Sequence, residues 1–380
     1  MLKDFLLDRS EKNQLKKALY KQLHRDRRIS KAELLERFHV PNTTMTRMLG
    51  ELAGKGFIRQ CGFGQPSGGR PPALYEIVPE AGYVIGVEIA RTDVRVKLLD
   101  IQFQIVGEDQ FILTKQHTSE RTIQLIANII GALVQEHQVH SLLGIGIGAV
   151  GPIDREKGVI LNPESFPAEG WRNVPIAAIL EREFSIPVVL NNGANTGAIA
   201  EYYAQSPEEE SILYCISGYG IRCGFIQEGQ LLNRKEGDVT SYDHIIIEVD
   251  GRPCICGNKG CLTTYASFGA MFKSMEEQGI PASIDQLLNS HDPRVRKIMI
   301  ESAKYYGIGL ANMINILHPH TVVLHGKLIY DDQEYYEEVV RSAKEYSYSH
   351  NRQLNIRKGS LKEKATSIGA AIQVFDQFFM

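Results

Sequence analysis

The chain has little of what membrane, secreted or disulfide-bonded proteins depend on. None of its apolar runs approaches the ~18 residues that cross a bilayer, so no membrane span and no membrane partner are expected. The opening MLKDFLLDRSEKNQ carries acids where a secretory signal has a basic start and a long apolar core, which points to the cytoplasm. Cysteine is scarce, six in 380 residues, and three of the six fall between Cys254 and Cys261. Too few thiols remain for a disulfide framework, which again suits a reducing compartment.

Net charge is nearly absent as well, at −3, but that balance conceals an asymmetry. Residues 1–78 hold 15 Lys and Arg against 8 Asp and Glu, and the remainder holds 27 against 37. A basic head on an acidic body suggests an anionic partner for the head alone. With 43% hydrophobic and 23% charged residues, the chain has the makeup of a globular protein of two or three domains.

The densest chemistry lies in HIIIEVDGRPCICGNKGC, which spaces one imidazole and three thiols as H-x9-C-x-C-x4-C: His244, Cys254, Cys256 and Cys261. Such a set suits zinc, which takes four soft or borderline donors in a tetrahedron. Gly257, Asn258 and Gly260 supply the tight turns a loop needs to wrap an ion. If all four groups ligate, no position stays open, and the ion is structural rather than catalytic.

The first 57 residues show three helical patterns. Residues 11–27 repeat apolar positions at Leu15, Ala18, Leu19 and Leu23. Ser30 opens SKAELLERF, and Glu33 three residues later completes a capping box. After a turn at His39–Pro41, NTTMTRMLGELAGKGF places Met45, Met48, Leu49 and Leu52 inward and Thr43, Thr44, Thr46 and Arg47 outward. Small hydroxyls and one guanidinium near a helix start are what a recognition helix offers to a major groove. FIRQCGFG and ALYEI then read as two strands flanking QPSGGRPP, a wing with Arg70 at its tip, slim enough for a minor groove. Residues 1–78 are thus expected to be a winged helix-turn-helix domain that binds a double-stranded DNA operator. A plain linker and a protein-interaction role are the alternatives.

From Tyr83 the pattern changes to three strands, a helix (119–137), the strand LLGIGIGAVGPID, a second helix, and PVVLNNGANTGAIAEYY running from strand into helix. SILYCISGYGIRCGFIQEGQLL begins the same pattern again, so the body reads as two related α/β lobes.

The residues CICGNKGCLTTYAS after His244, the strand GIGIGAVGPID, the stretch GIGLANMINILHPHTVVLHG and the wing SGGRPP together resemble the ROK family of repressors, open reading frames and sugar kinases. The resemblance covers essentially the whole chain and its repressor branch matches the head. It implies an α/β, two-lobed, actin/hexokinase-like ATPase (ribonuclease H-like) body at 79–380. The first lobe is expected at about 79–195 with the C-terminal helix, the second at about 196–362, and the zinc loop at 244–261. It also implies ligand contacts at Gly151, Asn192, Ser241, His244 and Thr263.

The chain departs from the family's kinases where chemistry would reside. Where a kinase has an Asp and a Gly-Gly-Thr phosphate turn, this sequence has Glu88-Ile89-Ala90-Arg91-Thr92-Asp93. Where the family's general base stands, in an Asn-Asp-Ala-Asn sequence, it reads Asn192-Gly193-Ala194-Asn195, and glycine accepts no proton. Two carboxylates that meet sugar in the family are replaced by Ser241 and Thr263, which removes charge-assisted acceptors. No catalytic residue is therefore assigned. The expected protein is a homodimeric regulator, a repressor of carbohydrate-use genes, with bound Zn and a small carbohydrate effector. An active sugar kinase with a fused head, and a ligand-independent regulator with a vestigial pocket, are the competing readings. The apolar surface of residues 298–317 suits either a dimer face or a buried core helix.

Overall fold

The computed structural model describes residues 2–65, 71–163, 166–205, 210–232 and 241–379. Arg70, the expected wing tip, lies outside the described residues.

The head is built from helices Glu11–Asp26, Lys31–Phe38 and Asn42–Gly54. The strands Ile29–Ser30, Ala73–Ile77 and Ile58–Phe63 form an antiparallel sheet with Ala73–Ile77 in the middle. The capping box forms as the spacing requires: the Glu33 amide donates to the Ser30 hydroxyl at 3.2 Å, and the Ser30 amide donates to the Glu33 carboxylate at 2.8 Å. His39, in the left-handed region at φ 49°, ends that helix. Helix Asn42–Gly54 buries Met45, Met48, Leu49 and Leu52, the expected inward face.

The first long helix differs from its expected face. Leu19 and Leu23 are buried, but Leu15 is 38% exposed and Ala18 is exposed too. Its inward side runs instead through Tyr20, Leu23 and His24. Tyr20 packs between Phe5, on the short helix Leu2–Leu7, and Phe379, in the turn Gln377–Phe379. The His24 ring lies between Phe103 and Phe375, with centroids 5.0 and 4.7 Å away, and its Nε2 bonds the Ile101 carbonyl. A side chain adjacent to the predicted stripe won because these distant aromatics cover it. As a result the head belongs to the same compact unit as the first body sheet: residues 1–149, 157–190 and 370–380 cluster together.

That sheet runs Val188–Asn192, Leu142–Ala149, Tyr83–Ile89, Asp93–Asp100, Ile105–Ile112. Its last three strands are antiparallel neighbours, and Tyr83–Ile89 pairs in parallel with Leu142–Ala149. The glycines of GIGIGAVG have a packing reason: a Cβ at Gly146 would stand 1.8 Å from the Ala370 carbonyl of helix Ala365–Asp376. No larger residue lets that helix lie on the strand.

The second unit comprises residues 150–156 and 191–369. Its sheet, Gln230–Leu231, Ile221–Gln227, Ser211–Ser217, Thr321–His325, Asn355–Lys358, has the same order read from the opposite edge, with three antiparallel strands followed by the parallel ones. The duplication read from the chain is thus present as two sheets of like order, the α/β actin/hexokinase-like plan. Helix Pro293–Leu317 packs along Gln333–Tyr346 and buries Ile298, Met299, Tyr306, Leu310 and Ile314 within this unit. Its apolar surplus is core. The homodimer expectation draws no support from it.

Candidate metal centre and ligand-binding residues

The backbone from Ile245 to Leu262 is a compact knot that gathers four side chains. Short bridges join Ile246 to Cys261 and Pro253 to Lys259, the Cys254 amide donates to the Asn258 carbonyl at 2.9 Å, and that of Gly260 to the Arg252 carbonyl at 2.8 Å. Gly257 and Gly260 hold φ of 92° and 75°, and a Cβ at Gly260 would meet the Glu248 carbonyl at 1.7 Å, so glycine is required there. His244 closes the set from the turn Ser241–His244.

The donor atoms of His244, Cys254, Cys256 and Cys261 lie within 4.8 Å of one another. His244 Nδ1 is 3.4 Å from Cys254 Sγ, and Cys256 Sγ is 3.6 Å from Cys261 Sγ. Burial pushes the Cys261 thiol up to about 12, with the neighbouring thiols adding to it, and raises Cys254 as well. The Cys256 thiol moves the other way, held down first by the Asn258 backbone. Such a cluster cannot carry three thiolates by itself, whereas a divalent cation at its centre stabilises all three. The donor chemistry and spacing fit Zn.

Sequence reasoning overlooked the neighbours of this set. Asp243 is 3% exposed, and Arg222 Nη1, from strand Ile221–Gln227, donates to its Oδ2 at 2.6 Å. Burial still holds the Asp243 carboxyl above its usual range. Its Oδ1 lies 3.7 Å from His244 Nε2. An acid directly before the histidine of the His/Cys set was the available signal.

Of the remaining site residues, Ser241 and Thr263 flank this set in the chain, and Gly151 and Asn192 lie on other elements. Asn192 ends a strand and caps the helix Gly193–Tyr203, its side-chain oxygen accepting from the Ala194 amide at 2.9 Å. Gly193 offers only its backbone, and its carbonyl accepts from Thr196 and Thr366 hydroxyls at 3.1 and 3.4 Å. Gly151 is buried and joined to Pro152 by a cis peptide. Ser241 opens the turn that carries His244, and Thr263 starts helix Thr263–Ala266 two residues beyond Cys261. The structure thus brings the four metal donors together, while Gly151 and Asn192 sit on other elements of the same unit.

At the expected phosphate turn, the Ala90 amide donates to the Asp93 carbonyl at 3.0 Å in a tight reversal. Glu88 and Arg95 are cross-strand partners, and Arg95 pairs with Glu88 at 3.0 Å and with Asp93 at 2.8 Å. Two carboxylates at this turn, and no glycine within residues 88–93 to open its backbone N–H groups, leave it without a kinase's phosphate cradle. On the head, Thr43, Thr46 and Arg47 are exposed and Thr44 is half-buried. Lys31 Nζ donates to the Thr46 hydroxyl at 2.6 Å, and Arg47 makes a long contact, 3.8 Å, with Glu51.

Comparison with known proteins accords with this geometry. The ROK family profile matches residues 84–377. The chain is 26% identical over 369 residues to a xylose repressor of Caldicellulosiruptor bescii, covering 91% of each. A ROK hexokinase from Thermus thermophilus superposes with TM-score 0.67 at 26% identity, covering 98% of that chain but 78% of this one. A crystal structure of a ROK family transcriptional regulator, a homologue of the E. coli MLC protein, superposes with TM-score 0.74 at 19% identity and covers 92% of each chain.

Proposed function

Because the chain belongs to the ROK family, we propose that it is a sugar-responsive, DNA-binding transcriptional repressor that has given up kinase chemistry. The observation that carries the reading is the head. Helix Asn42–Gly54 buries one face completely and leaves Thr43, Thr46 and Arg47 outward, in a domain with more than its share of Lys and Arg. A relative named xylose repressor matches over nearly the full length, head included. Arg47 would contact a base edge or phosphate, and Arg70 the neighbouring minor groove.

The body serves as sensor. The resemblance gives Asn192, Gly151, Ser241 and Thr263 to a small carbohydrate, and the buried Asn192 offers its amide Nδ2, since its oxygen already caps a helix. Zinc held by His244, Cys254, Cys256 and Cys261 would lock the 244–261 loop and supply no open position for catalysis. Loss of catalysis follows from Gly193, which has no group to take a proton, and from the Glu88–Arg95–Asp93 cluster. We place the protein in the cytoplasm as a homodimer reading two half-sites.

Selection of bound fragments from a random duplex library, followed by release with a panel of hexoses and pentoses, tests the proposal. A defined motif and release by one sugar class support it. Binding with no sequence preference, or retention under every sugar, contradicts it.

A further inference from the structure

Asp243 is buried next to a metal-binding histidine, and the metal set itself does not explain why. Its side chain is 4% exposed, one oxygen is held by Arg222 at 2.6 Å, and the other has no hydrogen-bond partner among the described residues. Leaving a buried carboxylate oxygen unpaired is costly, because its desolvation is not repaid. The polar group facing it is His244 Nε2, at 3.7 Å, on the side of the ring away from the thiols.

We propose that Asp243 is the outer carboxylate of the metal centre, accepting the Nε2–H of His244 so that Nδ1 presents its lone pair to the ion, with Arg222 fixing Asp243 from behind. The proposal rests on the metal reading above. In an imidazole with no such partner the proton is free to sit on either nitrogen. Once Nδ1 ligates, the proton must reside on Nε2, the metal makes that N–H a stronger donor, and a movement of roughly 0.7 Å brings it to a normal hydrogen-bond length. The pairing then selects the ligating tautomer before metal arrives and holds the ring in line afterwards.

Arg222 is required by charge. Three thiolates around a dication leave a centre of −1, and a bare buried carboxylate beside it would repel that charge. The guanidinium cancels Asp243 at 2.6 Å, leaving a local dipole instead of a second anion. The chain Arg222–Asp243–His244–metal runs from strand Ile221–Gln227 into the loop. One consequence concerns the effector. The resemblance also assigned His244 to the ligand, but its second nitrogen is now committed, so polar contacts to a sugar come from Asn192 and its companions.

Zinc affinity measured by competition with a chromophoric chelator tests this. Asp243→Asn is expected to bind zinc 10- to 100-fold more weakly, the usual effect of losing an outer-shell partner. The same substitution made in a His244→Cys background, where no imidazole needs orienting, is expected to change affinity less than twofold. Should Asp243→Asn fail to fold, the paired removal Arg222→Gln/Asp243→Asn leaves no buried charge and carries the same expectation. Affinity within twofold of wild type in the His244 background overturns the proposal, as does an equal loss in the His244→Cys background, which would mark Asp243 as merely structural. Unchanged zinc affinity with lost sugar binding also overturns it, giving the carboxylate to the effector. A wild-type chain that binds no zinc removes the metal reading itself, a separate failure.

Discussion

The turn between Tyr83–Ile89 and Asp93–Asp100 and the loop from His244 to Cys261 both crowd polar side chains onto a short stretch of backbone, and they resolve the crowding in opposite ways. In the turn the charges answer one another: Arg95 lies between Glu88 and Asp93 at 3.0 and 2.8 Å, and all three are mostly buried. In the loop the Asn258 backbone eases only Cys256, while burial and the neighbouring thiols push Cys261 up to about 12. A cluster that neutralises itself is architecture. A cluster that cannot do so calls for a ligand from outside, and here the ligand that suits it is a metal ion.

Breaking the loop has the largest expected effect. Cys254→Ser should abolish stoichiometric zinc and lower stability by about 5 kcal/mol or more, because metal binding contributes to folding. Metal analysis and thermal melting check this together, and full zinc content in the variant would show that the thiol is no ligand. Breaking the turn should cost less. Arg95→Ala leaves two half-buried carboxylates on adjoining strands without a counter-charge and should destabilise by about 3 kcal/mol, read by denaturant titration. It should not create nucleotide binding.

The head sharpens the comparison, since Arg47 is exposed and its contact with Glu51 is a long one, 3.8 Å. Arg47→Ala should weaken operator binding by about 2 kcal/mol and flatten the dependence on salt, measured by fluorescence anisotropy across ionic strength. Arg70→Ala should act more mildly, relaxing preference for A·T pairs beside the half-site.

A pH effect follows from His24, whose burial against Phe103 and Phe375 pushes it down to about 4. The unfolded chain binds that proton more readily than the folded one does. The neutral ring's contribution is therefore whole above pH ~6.5 and is lost as pH falls toward 4. The loss should be on the order of 2 kcal/mol, and His24→Leu should flatten the slope of stability against pH in that window.

What the sequence made legible was local. Ser30 and Glu33 are three residues apart, and Met45, Met48, Leu49 and Leu52 recur at helical spacing, so the capping box and the inner face of helix Asn42–Gly54 could be read directly. Three thiols within eight residues announced the metal set just as plainly. What remained hidden depended on distant partners. Arg95 meets Glu88 only through strand register, and Arg222 meets Asp243 across 21 positions. Leu15 and Ala18 looked inward until Phe5 and Phe379 covered Tyr20 instead. The same limit applies to Gly146, whose need for glycine is set by a helix that follows more than 200 residues later.

The central claim is that the body keeps a kinase's architecture without its chemistry. A coupled ADP-release assay on the zinc-loaded, full-length protein over a panel of hexoses and pentoses tests it most directly. The account predicts ADP release no faster with sugar than without, for wild type and equally for Gly193→Asp, because the turn at residues 88–93 would still lack the glycine backbone that seats phosphates. Sugar-saturable ADP release by the unmodified protein would contradict it, and some residue other than Gly193 would then be acting as the base.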